Sequence, residues 1–186
     1  GKWHIMGGWH VQPDCNMPSG EAFVRQITEG RRYFREKFGV EPTTAINFDP
    51  FGHTRGLVQI LAGTGYDSYI FCRPHEGLCH LPAETFRWVG YDGSSVIAQR
   101  AQTGYSTALG NAMKKIRPTT EALTDAAPLG FCLWGVGNHG GGPSREDIRA
   151  INAFMEEAKA EGVTVLHSTP EAYFADVRAE AAAGAR

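Results

Sequence analysis

Two short segments of the 186-residue chain concentrate side chains able to do chemistry. The first is Asn47-Phe48-Asp49-Pro50-Phe51-Gly52-His53. The second is Trp134-Gly135-Val136-Gly137-Asn138-His139-Gly140-Gly141-Gly142-Pro143. Asp49 offers a carboxylate for nucleophilic attack or metal binding, and the proline after it holds its backbone extended. His139 offers an imidazole ligand among glycines that let a ligand approach the backbone closely. Both have ordinary structural uses as well. An Asp before proline serves in turns, a lone His is commonly a satisfied polar side chain, and a glycine-rich loop opening a helix can cradle an anion. The second segment has neither the lysine of a P-loop nor the spacing of a dinucleotide fingerprint, so nucleotide binding of those kinds is set aside.

The elements that must hold these segments are readable from periodicity. Residues 43–48 are β-branched and apolar and predict a strand running into Asp49; residues 69–72 and 129–134 predict two more, the last leading into the glycine-rich segment. Residues 1–9 read as the end of a strand, followed by a turn at Gly7-Gly8. Ser19 is a candidate N-cap, with Phe23, Ile27, Gly30, Phe34 and Phe38 at helical spacing and Gly39 placed to end that helix. Residues 57–61 predict a short helix closed by Gly63 and Gly65. Residues 86–91 and 96–99 flank Asp92-Gly93, a hairpin signal. Residues 107–116 suggest a helix. Ser144 and Asp147 form an S-x-x-D box opening a long helix with Ile148, Ile151, Met155 and Ala158 on one face. Residues 163–167 predict a strand, and Thr169-Pro170 opens the last helix. Strands alternating with helices predict an α/β fold with a mostly parallel sheet, read as a single domain. In such folds the chemistry gathers on loops at the C-terminal ends of strands, where Asp49 and His139 are both expected.

Composition narrows the function. With 42% hydrophobic and 20% charged residues the chain is globular in character. A net charge of −2 with interspersed signs argues against nucleic acid or anionic lipid as partner, and no apolar run approaches a membrane span. Cys15, Cys72, Cys79 and Cys132 match no zinc-finger or redox spacing, and are read as reduced thiols of a cytoplasmic protein.

Taken together, the motifs resemble the catalytic domain of glycoside hydrolase family 38, the α-mannosidases. The resemblance runs through Gly7-Gly8-Trp9, Pro13-Asp14-Cys15-Asn16, Gly20-Glu21, Arg25-Gln26, Gly30 and Phe38-Gly39. It is densest at Phe48-Asp49-Pro50-Phe51-Gly52-His53 and resumes at Arg73-Pro74, at Gly135–Pro143 and at Ser168-Thr169-Pro170. It implies a zinc-dependent, retaining hydrolase of terminal α-linked mannose, built on a seven-stranded β/α barrel-like domain of which residues 1–186 are a part. In this resemblance Asp49 is the nucleophile and a Zn2+ ligand, and His139 is a second ligand. Arg73, Trp9, Asp14 and Phe51 are candidates for contacting an α-mannoside or oligosaccharide; Trp9 and Phe51 have core packing as their alternative, and Arg73 a surface salt bridge.

The family's remaining ligands come from an H-x-D motif, and none of the seven histidines here begins one. The first strand and its ligands are therefore expected upstream of Gly1, and the family's later domains downstream. The sequence also departs from the family in placing Phe48 where a proline precedes the nucleophile, and Cys15 where an acidic residue often follows Asp14. The general acid stays open among Asp14, Glu76 and Asp92. Two other readings stay open: a non-catalytic sugar-binding homologue, and another metal-dependent carbohydrate hydrolase such as a deacetylase.

Overall fold

The computed structural model describes residues 3–137 and 141–184. The elements follow the order α1 (Gly20–Phe38), β1 (Thr44–Asn47), α2 (Gly56–Gly63), β2 (Ser68–Phe71), β3 (Thr85–Val89), β4 (Ser95–Arg100), α3 (Met113–Glu121), α4 (Arg145–Ala160) and α5 (Pro170–Gly184). They divide into two compact units, Gly1–Gln102 with Thr169–Ala175, and Thr103–Ser168 with Asp176–Arg186.

The first unit is α/β. Its sheet has the order β1-β2-β4-β3. β1 pairs with β2, and β2 with β4, in parallel, while β3 and β4 form the antiparallel hairpin expected around Asp92-Gly93. Gly93 takes a φ of 85°, and the Asp92 carboxylate accepts from the Ser94 backbone N–H (3.0 Å) and hydroxyl (2.6 Å). Pairing of Asn47 with Phe71, and of Phe71 with Arg100, sets the C-terminal ends of the three parallel strands in one row. The loops that leave this row carry Asp49 and Arg73.

α1 covers the sheet because Phe23 and Ile27 lie on its inner face with Gly30. Ser19 caps it by accepting from Ala22 N–H, and Gly39 ends it in the left-handed region at φ 67°, returning its N–H to the Arg35 carbonyl. Gly30 is required by close approach: a Cβ there would stand 2.4 Å from the Gly8 carbonyl oxygen and 2.6 Å from the His10 nitrogen. Residues 7–10 therefore cross α1 backbone to backbone, and Gly7 and Gly8 take φ of 81° and 83° to do it. They form no strand. Leu57, Val58 and Leu61 of α2 join Phe23, Ile27, Tyr69, Val96 and Ala98 in one apolar core.

The second unit packs α3 and α4 around Ala112, Ile116, Ile151, Phe154 and Ala158. The helix expected over 107–116 starts at Met113, because Gly110 takes a φ of 71° and interrupts it. The segments 129–134 and 163–167, expected as strands, are irregular and join no ladder. Cys132, Trp134, Val163 and Val165 lay their apolar side chains on the helix core, and that burial produces the strand-like pattern. Asp147 is 1% exposed and does more than close its capping box with Ser144. Its oxygens also accept from Ala112 N–H (3.0 Å) and Gly110 N–H (3.2 Å), tying the α4 N-terminus to the loop before α3. These hydrogen bonds, with Ser144 foremost, hold its carboxyl below the usual range. Among the described residues no helix is long and apolar enough to cross a membrane, and all four cysteines are free thiols.

Candidate active site

The loop between β1 and α2 begins where Asn47 ends its strand. Two side chains from the segment before α1 fasten that end. Gln12 accepts the Phe48 N–H at 2.8 Å, and the buried Asn47 amide donates to the Pro13 carbonyl at 2.9 Å and to the Cys15 sulfur at 3.2 Å. Asp14 shapes the same segment, its Oδ1 accepting from Asn16 N–H (2.8 Å) and Met17 N–H (3.0 Å). Farther along, Gly52 at φ 130° lets Asn16 come so close that a Cβ would meet its amide nitrogen at 2.4 Å. The Asp14 and Asp49 loops are thus stitched together at the strand ends.

Arg73 reaches Asp49 from the loop after β2, with Nε 2.7 Å from Oδ1. The contact is an ion pair, and Oδ1 is a buried oxygen that has no hydrogen-bond donor among the described residues. The Arg73 guanidinium also stands 5.9 Å from the centre of the Phe51 ring, which is 73% exposed. Asp49, Arg73 and Phe51 therefore form one group: a carboxylate, a cation beside it and an apolar ring facing solvent.

The other sequence candidates divide. Trp9 is 7% exposed, donates its indole N–H to the Ile46 carbonyl at 2.8 Å and packs against Tyr66 and Tyr69, so its ring is a core ring. Asp92 lies at the turn that enters β4, on the edge of the sheet opposite to Asp49. Glu76 is on the Asp49 edge, ion-paired to Arg100 (1% exposed) and His80. Burial of Arg100 lowers its pKa from the ordinary value. His139 lies outside the described residues.

Beneath the loop sits a group that residue type alone did not single out. His53 Nε2 is 3.0 Å from the Tyr69 hydroxyl, with its ring edge-on to Tyr69, Phe71 and Trp88. Burial pushes the imidazole pKa down to about 4 and Tyr69 well above its ordinary value. The Tyr69 oxygen is also 3.9 Å from the Cys15 sulfur, whose pKa burial raises to about 11. The signal available beforehand was His53 in the Asp49 motif, facing a tyrosine in an otherwise apolar strand.

Among the described residues no three His, Cys, Asp or Glu side chains cluster as a metal site. Asp49 Oδ1, buried and without a donor among those residues, fits the character of one ligand oxygen.

Residues 1–185 match the family described as Glycosyl hydrolases family 38 N-terminal domain. Alpha-mannosidase G of Dictyostelium discoideum is 29% identical over 177 residues, covering 94% of this chain and 16% of that protein. Alpha-mannosidase 2C1 of Mus musculus is 33% identical over 149 residues, covering 78% of this chain and 14% of that protein. The crystal structure of an alpha-mannosidase from Enterococcus faecalis V583 superposes with a TM-score of 0.71 at 19% identity, covering 94% of this chain and 20% of that one, and shares the fold. The chain thus spans less than a quarter of the length of each of these relatives. The match over residues 1–185, with the α/β sheet that presents Asp49, places the chain in glycoside hydrolase family 38, within its N-terminal domain.

Proposed function

We propose that the chain supplies the nucleophile side of the active site of a retaining α-mannosidase, and that its sheet is part of a larger β/α barrel completed by the rest of a longer protein. The observation that carries this is the Asp49 carboxylate at the end of a parallel strand, ion-paired to Arg73 and flanked by the exposed Phe51 ring. Asp49 attacks the anomeric carbon of a terminal α-mannosyl unit. As the bond from that carbon to Asp49 forms, the bond to the leaving oxygen breaks, and a second carboxyl group about 5–5.5 Å away protonates that oxygen. The same group then takes a proton from water as water attacks the anomeric carbon, releasing Asp49. Two inversions at one carbon give net retention. Arg73 keeps Asp49 aimed, and Phe51 offers an apolar face to the sugar ring. Bound zinc would supply positive charge for sugar hydroxyls, with Asp49 Oδ1 as a ligand and His139 as the further ligand named by the resemblance.

The test uses the full-length protein, an aryl α-mannoside and a mechanism-based α-mannosyl inhibitor. Hydrolysis with first-formed α-mannose and a covalent label on Asp49 are expected. Asp49→Asn should reduce turnover by about a thousandfold or more, since an amide is a far poorer nucleophile. A label on another carboxylate, near-normal turnover by Asp49→Asn, or deacetylation of acetylated sugars without mannoside hydrolysis would each overturn the reading.

A further inference from the structure

We propose that His53 is a positioning residue for Asp49, clamping the Asp49 loop to β2 through Tyr69. The proposal rests on the reading of Asp49 as nucleophile and extends it to a residue that touches neither Asp49 nor the sugar. Asp49 leaves β1 on a loop that re-enters regular structure only at Gly56. The start of this loop is held by the Gln12 and Asn47 bonds described above, and Asp49 itself by Arg73 from solvent. Its far side is held by His53, whose imidazole enters an aromatic box of Tyr69, Phe71 and Trp88 and meets the Tyr69 hydroxyl at 3.0 Å.

Tyr69 and Phe71 are on β2, the same strand that delivers Arg73. The loop that carries the nucleophile and the loop that carries its ion-pair partner are thereby both fastened to one strand, β2. The chain of polar groups continues inward from the Tyr69 oxygen to the Cys15 sulfur at 3.9 Å and from there to the Asn47 amide at 3.2 Å, which returns to the strand bearing Asp49. A consistent set of donors runs from the Asn47 amide to the Cys15 sulfur, from the Cys15 thiol to the Tyr69 oxygen, and from the Tyr69 hydroxyl to a neutral His53 Nε2. The loop is thus held at its start by the Gln12 and Asn47 bonds and at its far side by His53, with the Phe51 ring exposed between them. A displacement of about 1 Å in a reacting group can cost on the order of a hundredfold in rate, so a clamp of this kind acts on turnover more than on binding.

The experiment compares His53→Phe, His53→Gln and Tyr69→Phe in the full-length protein. His53→Phe keeps a ring in the aromatic box and removes the hydrogen bond. His53→Gln loses the ring and keeps an amide able to reach Tyr69. Tyr69→Phe removes only the hydroxyl and protects the fold. Expected are kcat losses of about 10- to 100-fold in both Phe variants with KM within about threefold, and recovery of most of that loss in His53→Gln. Amide hydrogen exchange across residues 51–53 should accelerate in the Phe variants and return toward wild type in His53→Gln. Wild-type kcat and protection in His53→Phe, or a His53→Gln variant worse than His53→Phe, would overturn the clamp and leave His53 as packing alone. If the wild-type protein turned over no mannoside, the reading of Asp49 would fail, while the exchange data would still decide the clamp.

Discussion

Arg73 Nε stands 2.7 Å from Asp49 Oδ1, and each residue lies two positions beyond a strand residue paired with the other's: Asn47 with Phe71. The ion pair is a consequence of parallel register. Partly exposed pairs of this kind add no more than about 1 kcal/mol to stability, so the value of this one lies in orientation. Arg73→Met in the full-length protein is expected to leave the thermal midpoint within about 2 °C of wild type, and to slow inhibitor labelling of Asp49 by about 10- to 100-fold. Arg73→Lys should recover only part of the rate, because an ammonium lacks the planar fork of guanidinium. Labelling kinetics at equal protein folding provide the check, and an unchanged rate in Arg73→Met would remove Arg73 from the site.

Gly30 provides a test of how α1 meets the segment leading to Trp9. A helical Gly→Ala change ordinarily gains up to about 1 kcal/mol. At Gly30 the added methyl would lie 2.4 Å from the Gly8 carbonyl oxygen, and backbone cannot swing aside as a side chain can. Gly30→Ala should cost about 2–3 kcal/mol by overpacking. Gly63, helical and with nothing within 4 Å of an added Cβ, is the control, expected within about 1 kcal/mol of wild type. Urea denaturation of the two variants distinguishes them, and equal midpoints would mean that residues 7–10 do not cross α1 closely.

The first unit was legible from sequence because its signals are local. Ser19 and Gly39 cap α1, Asp92-Gly93 turns the hairpin, and alternating elements predict a mainly parallel sheet, all as observed. The second unit misled where burial imitated a strand. Cys132, Trp134, Val163 and Val165 are partly buried against the helix core, and periodicity does not distinguish such a packed segment from a ladder. Asp49, Arg73 and Phe51, named as candidates from residue type, motif and resemblance, lie together in the structure. The roles of Tyr69 and Asn47 were hidden because their partners lie on other elements, at sequence distances that only the register reveals. Trp9 shows the converse: an aromatic in a family motif whose ring and indole N–H are both used by the core.

Asp147 carries a prediction for the second unit. Its carboxylate satisfies the N-termini of two helical segments at once, through its Ser144 box and the Gly110 and Ala112 amides. Asp147→Ala leaves the Ser144 cap bond but strands the Gly110 and Ala112 donors and the Ser144 hydroxyl, at a cost of about 2–3 kcal/mol. Asp147→Asn keeps the shape but loses charge and should cost about half as much. Hydrogen exchange should show the loss at residues 110–113 and in the first turn of α4. Destabilisation confined to α4 would mean that the Gly110 and Ala112 bonds contribute nothing.

The last prediction concerns acid. His53 is half-buried among Tyr69, Phe71 and Trp88, and desolvation there lowers its pKa from about 6.5 to about 4. In the unfolded chain the imidazole takes up its proton near pH 6.5; in the folded chain it resists until about pH 4. Between these values the unfolded state binds more protons, so stability falls as pH falls through this window and levels off below it. The full effect is on the order of 3 kcal/mol, at about 1.4 kcal/mol for each unit of pKa. His53→Gln has no such proton, so its stability should fall less steeply over the same interval, and the difference between the two proteins should shift in favour of His53→Gln from pH 7 to pH 4. Above pH 7 the gap between them should be constant, since His53 is then neutral in both states. The check is a set of denaturation midpoints for the two proteins from pH 7.5 to pH 4, together with the titration of the His53 ring carbon by NMR. Parallel stability curves, or a ring that titrates near pH 6.5, would mean that His53 is open to water and not enclosed beneath the Asp49 loop.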